Sequence, residues 1–153
     1  MNNDQLAQLA KDIATKAYAP YSNFRVGAAL ITDSGNVYSG CNIENASYPA
    51  SVCAEDVAVV KAISEGEKKI NTIAVACIDA ESDTAIFPCG ISRQRLAEFD
   101  TEFVLVVDET GYKTYKFEEI LPNDRIEISF QIKSKFSRSV KITLRGKFKN
   151  QKY

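Results

Sequence analysis

The chain of 153 residues contains no histidine. This absence excludes Ser-His-Asp and Cys-His catalysis, and it excludes metal sites of the H-E-x-x-H type. Any metal ion must therefore be held by sulfur or oxygen ligands. A general acid or base that works near neutral pH must be a carboxylate with a shifted pKa, a lysine, a cysteine or a tyrosine.

The sequence also lacks long apolar runs and an export signal. No segment approaches the length of a membrane-spanning helix, and residues 1–4 contain neither the basic nor the apolar region of a signal peptide. We therefore expect a cytoplasmic protein without a membrane partner. In that compartment cysteines are thiols or metal ligands more often than disulfides, and this applies to Cys41, Cys53, Cys77 and Cys89.

Acidic residues are absent from the last part of the chain. From Ser129 onward there are eight lysines and arginines and no aspartate or glutamate, so the preceding part holds 11 of the 19 basic residues and all 20 acidic ones. We interpret this basic tail as exposed strands whose edges are protected by lysines. An anionic partner, nucleic acid included, is the alternative interpretation.

Periodic apolar residues predict helices that alternate with strands. Leu6, Ala10 and Ile13 share one face of a first helix, which we expect Asn3 to cap and which should end before Pro20. Further helices are predicted over residues 53–65 and 90–98. Strands are predicted over residues 25–32, 37–42, 73–78, 103–107, 112–117, 125–132 and 140–148. This alternation indicates an α/β fold, a three-layer α/β/α sandwich with a central mixed sheet of about five strands.

Two short cysteine motifs each stand at the predicted start of a helix. The first is Cys53-Ala54-Glu55, and the second is P-C-G-I-S at residues 88–92, with Cys89 as its cysteine. Helix N-termini favour thiolates, so two such helices side by side would direct two thiolates at one zinc ion. Glu55, beside the metal but not bound to it, would move protons between metal-bound water and a substrate. For the cysteines alone, burial as inert thiols is the more ordinary interpretation.

Longer segments around these motifs resemble the small cytidine deaminases that act on free nucleosides. A-P-Y-S-N-F-R-V-G-A-A-L at residues 19–30 resembles the first motif of that family, and G-C-N-I-E-N-A-S-Y-P at residues 40–49 resembles the second. C-A-E, K-A-I-S-E-G and P-C-G follow in the family's order and spacing. The resemblance covers residues 6–122. Residues 1–122 are therefore expected to form a cytidine deaminase domain, and residues 123–153 a divergent, β-rich extension.

The resemblance implies a reaction and a catalytic centre. Cytidine and deoxycytidine would be deaminated hydrolytically to uridine and deoxyuridine, as in pyrimidine salvage. Cys53 and Cys89 would bind one Zn²⁺ per subunit, and Glu55 would shuttle protons to and from the zinc-activated water. Family members of this length are typically homotetramers, whose active sites borrow residues from neighbouring subunits.

The resemblance also implies residues that bind the substrate. Phe24 would stack on the pyrimidine ring, and Asn42 and Glu44 would hydrogen-bond the ribose hydroxyls. In an extended segment, the i, i+2 spacing places Asn42 and Glu44 on the same side. Ala46 and Ala54 would contribute backbone contacts, the latter to the base.

The sequence departs from the family at two positions near the expected zinc ion. Ser92 stands where the family has its third zinc cysteine, and Asp56 stands where it has an arginine. A neutral hydroxyl is a weak zinc ligand, so one prediction is that zinc affinity is much reduced. A second hypothesis makes Asp56, one helical turn after Cys53, a substitute ligand with Ser92 hydrogen-bonded nearby. The alternative function is a nucleoside-binding or scaffolding subunit without catalysis.

Overall fold

Five strands rich in small and β-branched apolar residues form one mixed sheet. The computed structural model describes residues 1–80 and 85–122, together with the backbone of residues 129–132 and 140–143. The strands are β1 (Val26–Thr32), β2 (Val37–Cys41), β3 (Ile70–Cys77), β4 (Phe103–Asp108) and β5 (Gly111–Lys116). Their order is β2-β1-β3-β4-β5, with β3 and β4 parallel and the other neighbours antiparallel. The predicted mixed sheet is confirmed.

Helices cover both faces of the sheet, which produces three layers. α1 (Asn3–Ala14) buries its apolar side on one face. α2 (Ala54–Ser64) and α3 (Gly90–Glu98) pack against the other face. Because neither face meets water, β3 and β4 are buried along nearly their whole length. The predicted α/β/α sandwich is therefore confirmed.

Two glycines allow the helices to lie unusually close to the sheet. A Cβ atom at Gly27 would stand 2.1 Å from the carbonyl oxygen of Ala10 in α1, and one at Gly40 would stand 2.7 Å from that of Ala54 in α2. Both distances are far shorter than real Cβ contacts. Gly40 thus brings the first turn of α2 against β2, which determines where Cys53 lies.

The ends of the elements differ from the sequence-based expectations in a few places. α1 is capped by Asn2 rather than Asn3, because the Asn2 side chain accepts a hydrogen bond of 2.9 Å from the Gln5 backbone N–H, and the Gln5 side chain accepts one of 3.1 Å from the Asn2 N–H. α1 ends at Ala14. A short α4 (Phe117–Ile120), which was not predicted, follows β5.

The tail contains one pair of described strands. β6 (Ser129–Ile132) and β7 (Val140–Thr143) form an antiparallel two-stranded sheet. They fall inside the two strands predicted for the tail, and the other residues from 123 to 153 lie outside the described part of the chain. The division into domains after residue 122 stays a prediction. None of the helices in the described part is both long enough and apolar enough to cross a membrane.

Candidate active site

A cavity of about 710 Å³ opens beside the N-termini of α2 and α3. Its volume lies in the range of small-molecule sites. Seven residues predicted to belong to the site line it, namely Phe24, Asn42, Glu44, Cys53, Ala54, Glu55 and Cys89. Ser92 and Asp56 are buried outside the lining, and Ala46 is exposed on the neighbouring loop and does not line the cavity either. The structure therefore brings together most of the predicted site.

The cavity has two chemically different ends. The thiol end consists of Cys53, Cys89, Ser92 and Glu55. The loop end consists of Phe24, Asn42 and Glu44, together with the chain from residue 18 to residue 25 that carries Phe24.

Two thiols face each other at the thiol end because each cysteine occupies the N-cap position of a helix. Cys53 is the N-cap of α2 and Cys89 is the N-cap of α3, and both have extended backbone angles. Their sulfur atoms stand 3.8 Å apart. Two zinc–sulfur bonds of about 2.3 Å at a tetrahedral angle would separate two sulfurs by about 3.8 Å. The two thiols therefore fit a zinc ion.

Arg93 holds the start of α3 in this position. Its guanidinium donates one hydrogen bond of 2.7 Å to the carbonyl oxygen of Pro88 and another of 2.8 Å to that of Ile120 in α4. The residue before Cys89 is thereby tied to α4, the helix that follows the edge strand β5. The unpredicted helix α4 thus contributes to the placement of one thiol.

Ser92 occupies the place of a third donor. Its side chain is fully buried, and its hydroxyl oxygen lies 3.5 Å from the sulfur of Cys89. Within residues 1–80 and 85–122, no three histidine, cysteine, aspartate or glutamate side chains form a metal-binding group. The donor set at this end thus consists of two sulfurs and one hydroxyl oxygen. Of these donors, the two sulfurs are the better zinc ligands.

Glu55 is buried beside the thiols. It is 4% exposed, and this burial raises the pKa of its carboxyl group, with a further increase from the charge of Asp56. A hydrogen bond from the backbone N–H of Glu55 itself lowers this pKa and partly offsets the increase. A carboxyl group with a raised pKa can hold a proton closer to neutral pH than an ordinary glutamate, which is the property that a proton shuttle needs.

The two thiols differ in their electrostatic surroundings. Burial raises the pKa of Cys53, and the nearby charge of Glu55 adds to this effect. Burial acts in the same direction on Cys89, but hydrogen bonds from the backbone and the hydroxyl of Ser92 outweigh it and lower the pKa of Cys89. The Ser92 side chain therefore stabilises negative charge on the more exposed thiol.

Asp56 pairs with an arginine on the neighbouring helix. Its Oδ2 forms an ion pair with Nη1 of Arg95 in α3, while the aspartate side chain is only 5% exposed. Its Oδ1 is buried and has no hydrogen-bond partner in the described part of the chain. Asp56 thus connects α2 to α3, and it does not join the thiols in a metal-binding group. This arrangement gives no support to the hypothesis of a substitute ligand.

Glu44 at the loop end is surrounded by hydrogen-bond donors. Its Oε2 accepts hydrogen bonds from the backbone N–H groups of Tyr21 at 2.9 Å and Ser22 at 3.3 Å, and its Oε1 accepts one from the Ser22 hydroxyl. These bonds, that of the hydroxyl above all, lower the pKa of Glu44. The carboxylate therefore stays charged throughout the neutral range.

Asn42 binds the strand that follows Phe24. Its Oδ1 accepts a hydrogen bond of 2.8 Å from the N–H of Val26, and its Nδ2 donates one of 2.9 Å to the carbonyl oxygen of Phe24. These two hydrogen bonds fix the backbone of Phe24 at the point where it enters β1. Both residues predicted to bind a sugar also support the backbone that carries the predicted stacking ring.

Some residues of the cavity were not predicted from the sequence. Ser22 connects Glu44 to the Phe24 backbone, and Tyr21 and Tyr48 form an edge-to-face aromatic pair with ring centroids 6.4 Å apart. Tyr21, Ser22 and Tyr48 stand inside the two motifs that carry the family resemblance, so their presence there was the available signal. The motifs alone did not reveal which residues these three side chains contact.

Comparison with known proteins gives a consistent result. Residues 1–108 match the model of the cytidine and deoxycytidylate deaminase zinc-binding region. The chain is 40% identical over 125 residues to a cytidine deaminase of Halalkalibacterium halodurans, covering 80% of this chain and 92% of that protein. It is 40% identical over 119 residues to a probable cytidine deaminase of Dictyostelium discoideum, covering 76% and 79% of the two chains.

A solved structure agrees with these sequence comparisons. The crystal structure of cytidine deaminase from Burkholderia pseudomallei superposes with a TM-score of 0.74 at 39% identity. The match covers 80% of this chain and 98% of that one. Most of this chain therefore has a structural counterpart in that deaminase.

Proposed function

Because the chain belongs to the cytidine and deoxycytidylate deaminase family, we propose that it hydrolyses cytidine and deoxycytidine to uridine and deoxyuridine with release of ammonia. The observation that carries this proposal is the pair of thiols 3.8 Å apart, with the buried Glu55 beside them in one cavity. The reaction would serve pyrimidine salvage.

Zinc is the cofactor of this family. Cys53 and Cys89 are the residues that would hold it, with the Ser92 hydroxyl as the adjacent oxygen donor. When bound, zinc lowers the pKa of a water molecule and so supplies a nucleophile near neutral pH.

Glu55 handles the protons of the reaction. Its raised pKa allows it to take the two protons of the attacking water in turn, giving the first to N3 of the cytosine ring and the second to the departing amino group at C4. One water molecule is consumed, and one ammonia molecule leaves. The burial of Glu55 keeps bulk water away from these transfers.

The loop end binds and orients the nucleoside. Phe24 offers its ring to the face of the base, while Glu44 and Asn42 retain free hydrogen-bonding capacity for the ribose hydroxyls. Ala54 supplies backbone groups to the base at the first turn of α2, and Ala46 would contribute from the neighbouring loop. The non-catalytic alternative has less support, because both thiols and the buried carboxylate are in place.

The test is a deamination assay on purified protein supplied with zinc. We expect uridine and ammonia to appear in equal amounts from cytidine. Cys53→Ser, which removes one of the two thiols, should abolish both the reaction and stoichiometric zinc binding. If wild-type protein that holds zinc fails to deaminate cytidine, the proposed activity is wrong.

We also propose that the protein is a cytoplasmic homotetramer. An apolar groove between α2 and α3 supports association, because Val60 and Ile91 in it are 61% and 64% exposed in the single chain. Light scattering coupled to size-exclusion chromatography measures the mass directly. A mass of one chain would contradict the tetramer.

A further inference from the structure

Ser22 connects the two predicted functions of the loop end. Its hydroxyl donates a hydrogen bond to Oε1 of Glu44 and accepts one of 3.0 Å from the backbone N–H of Phe24. A single side chain thus joins the carboxylate to the residue that carries the aromatic ring. All three residues line the cavity.

The backbone between Ser22 and Phe24 has a conformation that needs support. Asn23 has a positive φ of 54°, in the left-handed region that residues other than glycine adopt infrequently. Hydrogen bonds on both sides of Asn23 hold this turn: Glu44 accepts from the chain before it, and Ser22 accepts from the N–H of Phe24 after it. Without the hydroxyl of Ser22, the N–H of Phe24 would lose its acceptor, and the carbonyl oxygen of Phe24 would keep the hydrogen bond from Asn42.

The hydrogen-bonding capacity of Glu44 is nearly filled by the protein itself. A carboxylate offers about four acceptor positions. Two backbone N–H groups use Oε2, and the Ser22 hydroxyl uses one position of Oε1. About one acceptor position on Oε1 therefore remains for a ligand hydroxyl. Since Ser22 occupies the other position on that oxygen, it determines the direction of the remaining one.

We propose that Ser22 is a positioning residue, which couples the carboxylate of Glu44 to the ring of Phe24 so that the sugar and the base of a nucleoside are bound together. This rests on the proposed function, in which the cavity binds a nucleoside. Ser22 itself does not take part in the chemistry at the thiol end. Its loss should therefore weaken nucleoside binding and leave the chemical step intact.

The experiment compares Ser22→Ala with wild-type protein in two measurements. Calorimetry gives the Kd of uridine, and steady-state kinetics gives KM and kcat for cytidine. We expect Ser22→Ala to raise Kd and KM about tenfold, the effect of one lost hydrogen bond to a charged group, with kcat changed less than about twofold. Ser22→Thr, which keeps the hydroxyl, should restore most of the binding.

A matched control is available at the other end of the molecule. Ser34 donates to the carboxylate of Glu67 at 2.8 Å in the turn between β1 and β2, far from the cavity. Ser34→Ala removes the same kind of hydrogen bond and should leave Kd and KM unchanged. An equal effect of Ser22→Ala and Ser34→Ala would mean that general loss of stability is being measured, and it would overturn the proposal.

A double substitution provides the second measurement. If Ser22 acts through Glu44, then Ser22→Ala should have little further effect on uridine binding in a Glu44→Gln background. Additive effects would contradict the coupling. Should Ser22→Ala fail to fold, Ser22→Cys offers a side chain of similar shape that donates only weakly, with the same expected rise in Kd. Failure of wild-type protein to bind uridine would overturn the proposed function, whereas normal binding by Ser22→Ala would overturn only this inference.

Discussion

The two ends of the cavity are built on different physical principles. At the thiol end, Cys53 and Cys89 are brought together by the packing of α2 and α3, and Glu55 and Ser92 beside them are buried. At the loop end, Glu44 is only partly buried, and its position is maintained by hydrogen bonds from Tyr21 and Ser22 in the facing loop. The thiol end therefore depends on the packing of helices in the core, and the loop end depends on hydrogen bonds between two loops.

This difference assigns different kinetic roles to the two ends. Groups buried in the core meet the reacting atoms in a dry environment, where charge and proton affinity are strongly shifted. Groups at the loop end contribute to substrate binding equally in the ground state and in the transition state. Substitutions at the thiol end should thus change kcat or metal binding, while those at the loop end should change KM.

The largest effect is expected from Glu55→Gln. The amide cannot carry the proton, so kcat should fall about 10³-fold while zinc content and the KM for cytidine change little. Steady-state kinetics and elemental analysis on the same sample provide both values. Glu109→Gln, at an exposed position in the turn between β4 and β5, is the matched control and should be neutral. A comparable loss in the control, or a small loss in Glu55→Gln, would contradict the proton-shuttle role.

The second effect concerns the missing cysteine. Ser92→Cys places a third sulfur beside Cys89, so zinc affinity should rise about 10- to 100-fold, as measured by competition with a chromophoric chelator. Ser92→Ala is the control, because it removes the hydroxyl without adding a sulfur. If Ser92→Cys binds zinc no more tightly than wild-type protein, the lost ligand does not limit affinity.

The third effect tests the connection between the two helices. Arg95→Gln leaves the carboxylate of Asp56 buried without its ion pair, and we expect a loss of about 1–2 kcal/mol in the free energy of unfolding, moderated by the partial exposure of Arg95. Urea denaturation measures this loss. Lys69→Gln breaks exposed ion pairs to Asp33 and Glu102 and should lower the free energy of unfolding clearly less than Arg95→Gln does. Equal losses would remove the distinction between buried and exposed pairs.

The smallest effect is a shift in titration at the loop end. The pKa of Glu44 is lowered in the folded protein, so its stabilising contribution is present above the ordinary glutamate pKa of about 4.3 and is lost as the pH falls through the lower folded value. Carbon-13 NMR of the carboxyl group should show this lowered pKa. Ser22→Ala should return it toward 4.3, because the largest contribution comes from that hydroxyl. An unchanged titration in the variant would contradict this cause.

Much of the fold was predictable because the signals are local. The apolar spacing of Leu6, Ala10 and Ile13 led to α1, and the apolar strands led to the mixed sheet. The cap was assigned to Asn3 instead of Asn2, since either asparagine suits the position and only the Asn2–Gln5 bonds distinguish them. The four-residue α4 is too short to produce a recognisable period.

The candidate site was predictable only as a set of residues. The motifs brought Cys53, Cys89 and Glu55 to attention, and the structure places them along one cavity. One hypothesis made Asp56 a substitute ligand of the metal ion, and in the structure its carboxylate forms an ion pair with Arg95. Nothing in the sequence indicated this, because residue 95 comes close to residue 56 only after α2 and α3 have packed on the sheet.

The sequence by itself determined the periods of the helices and strands, the cysteine motifs and the replacement of a third cysteine by Ser92, since these are properties of neighbouring residues. Only the tertiary structure decided that two helix N-termini bring two sulfurs within 3.8 Å of each other and that Ser22 links Glu44 to Phe24. The physical reason is that hydrogen bonds and metal sites depend on distances of a few ångströms between residues far apart in the chain. Packing of the helices on the sheet establishes such distances. The close approach of α2 to Gly40 in β2 is one example.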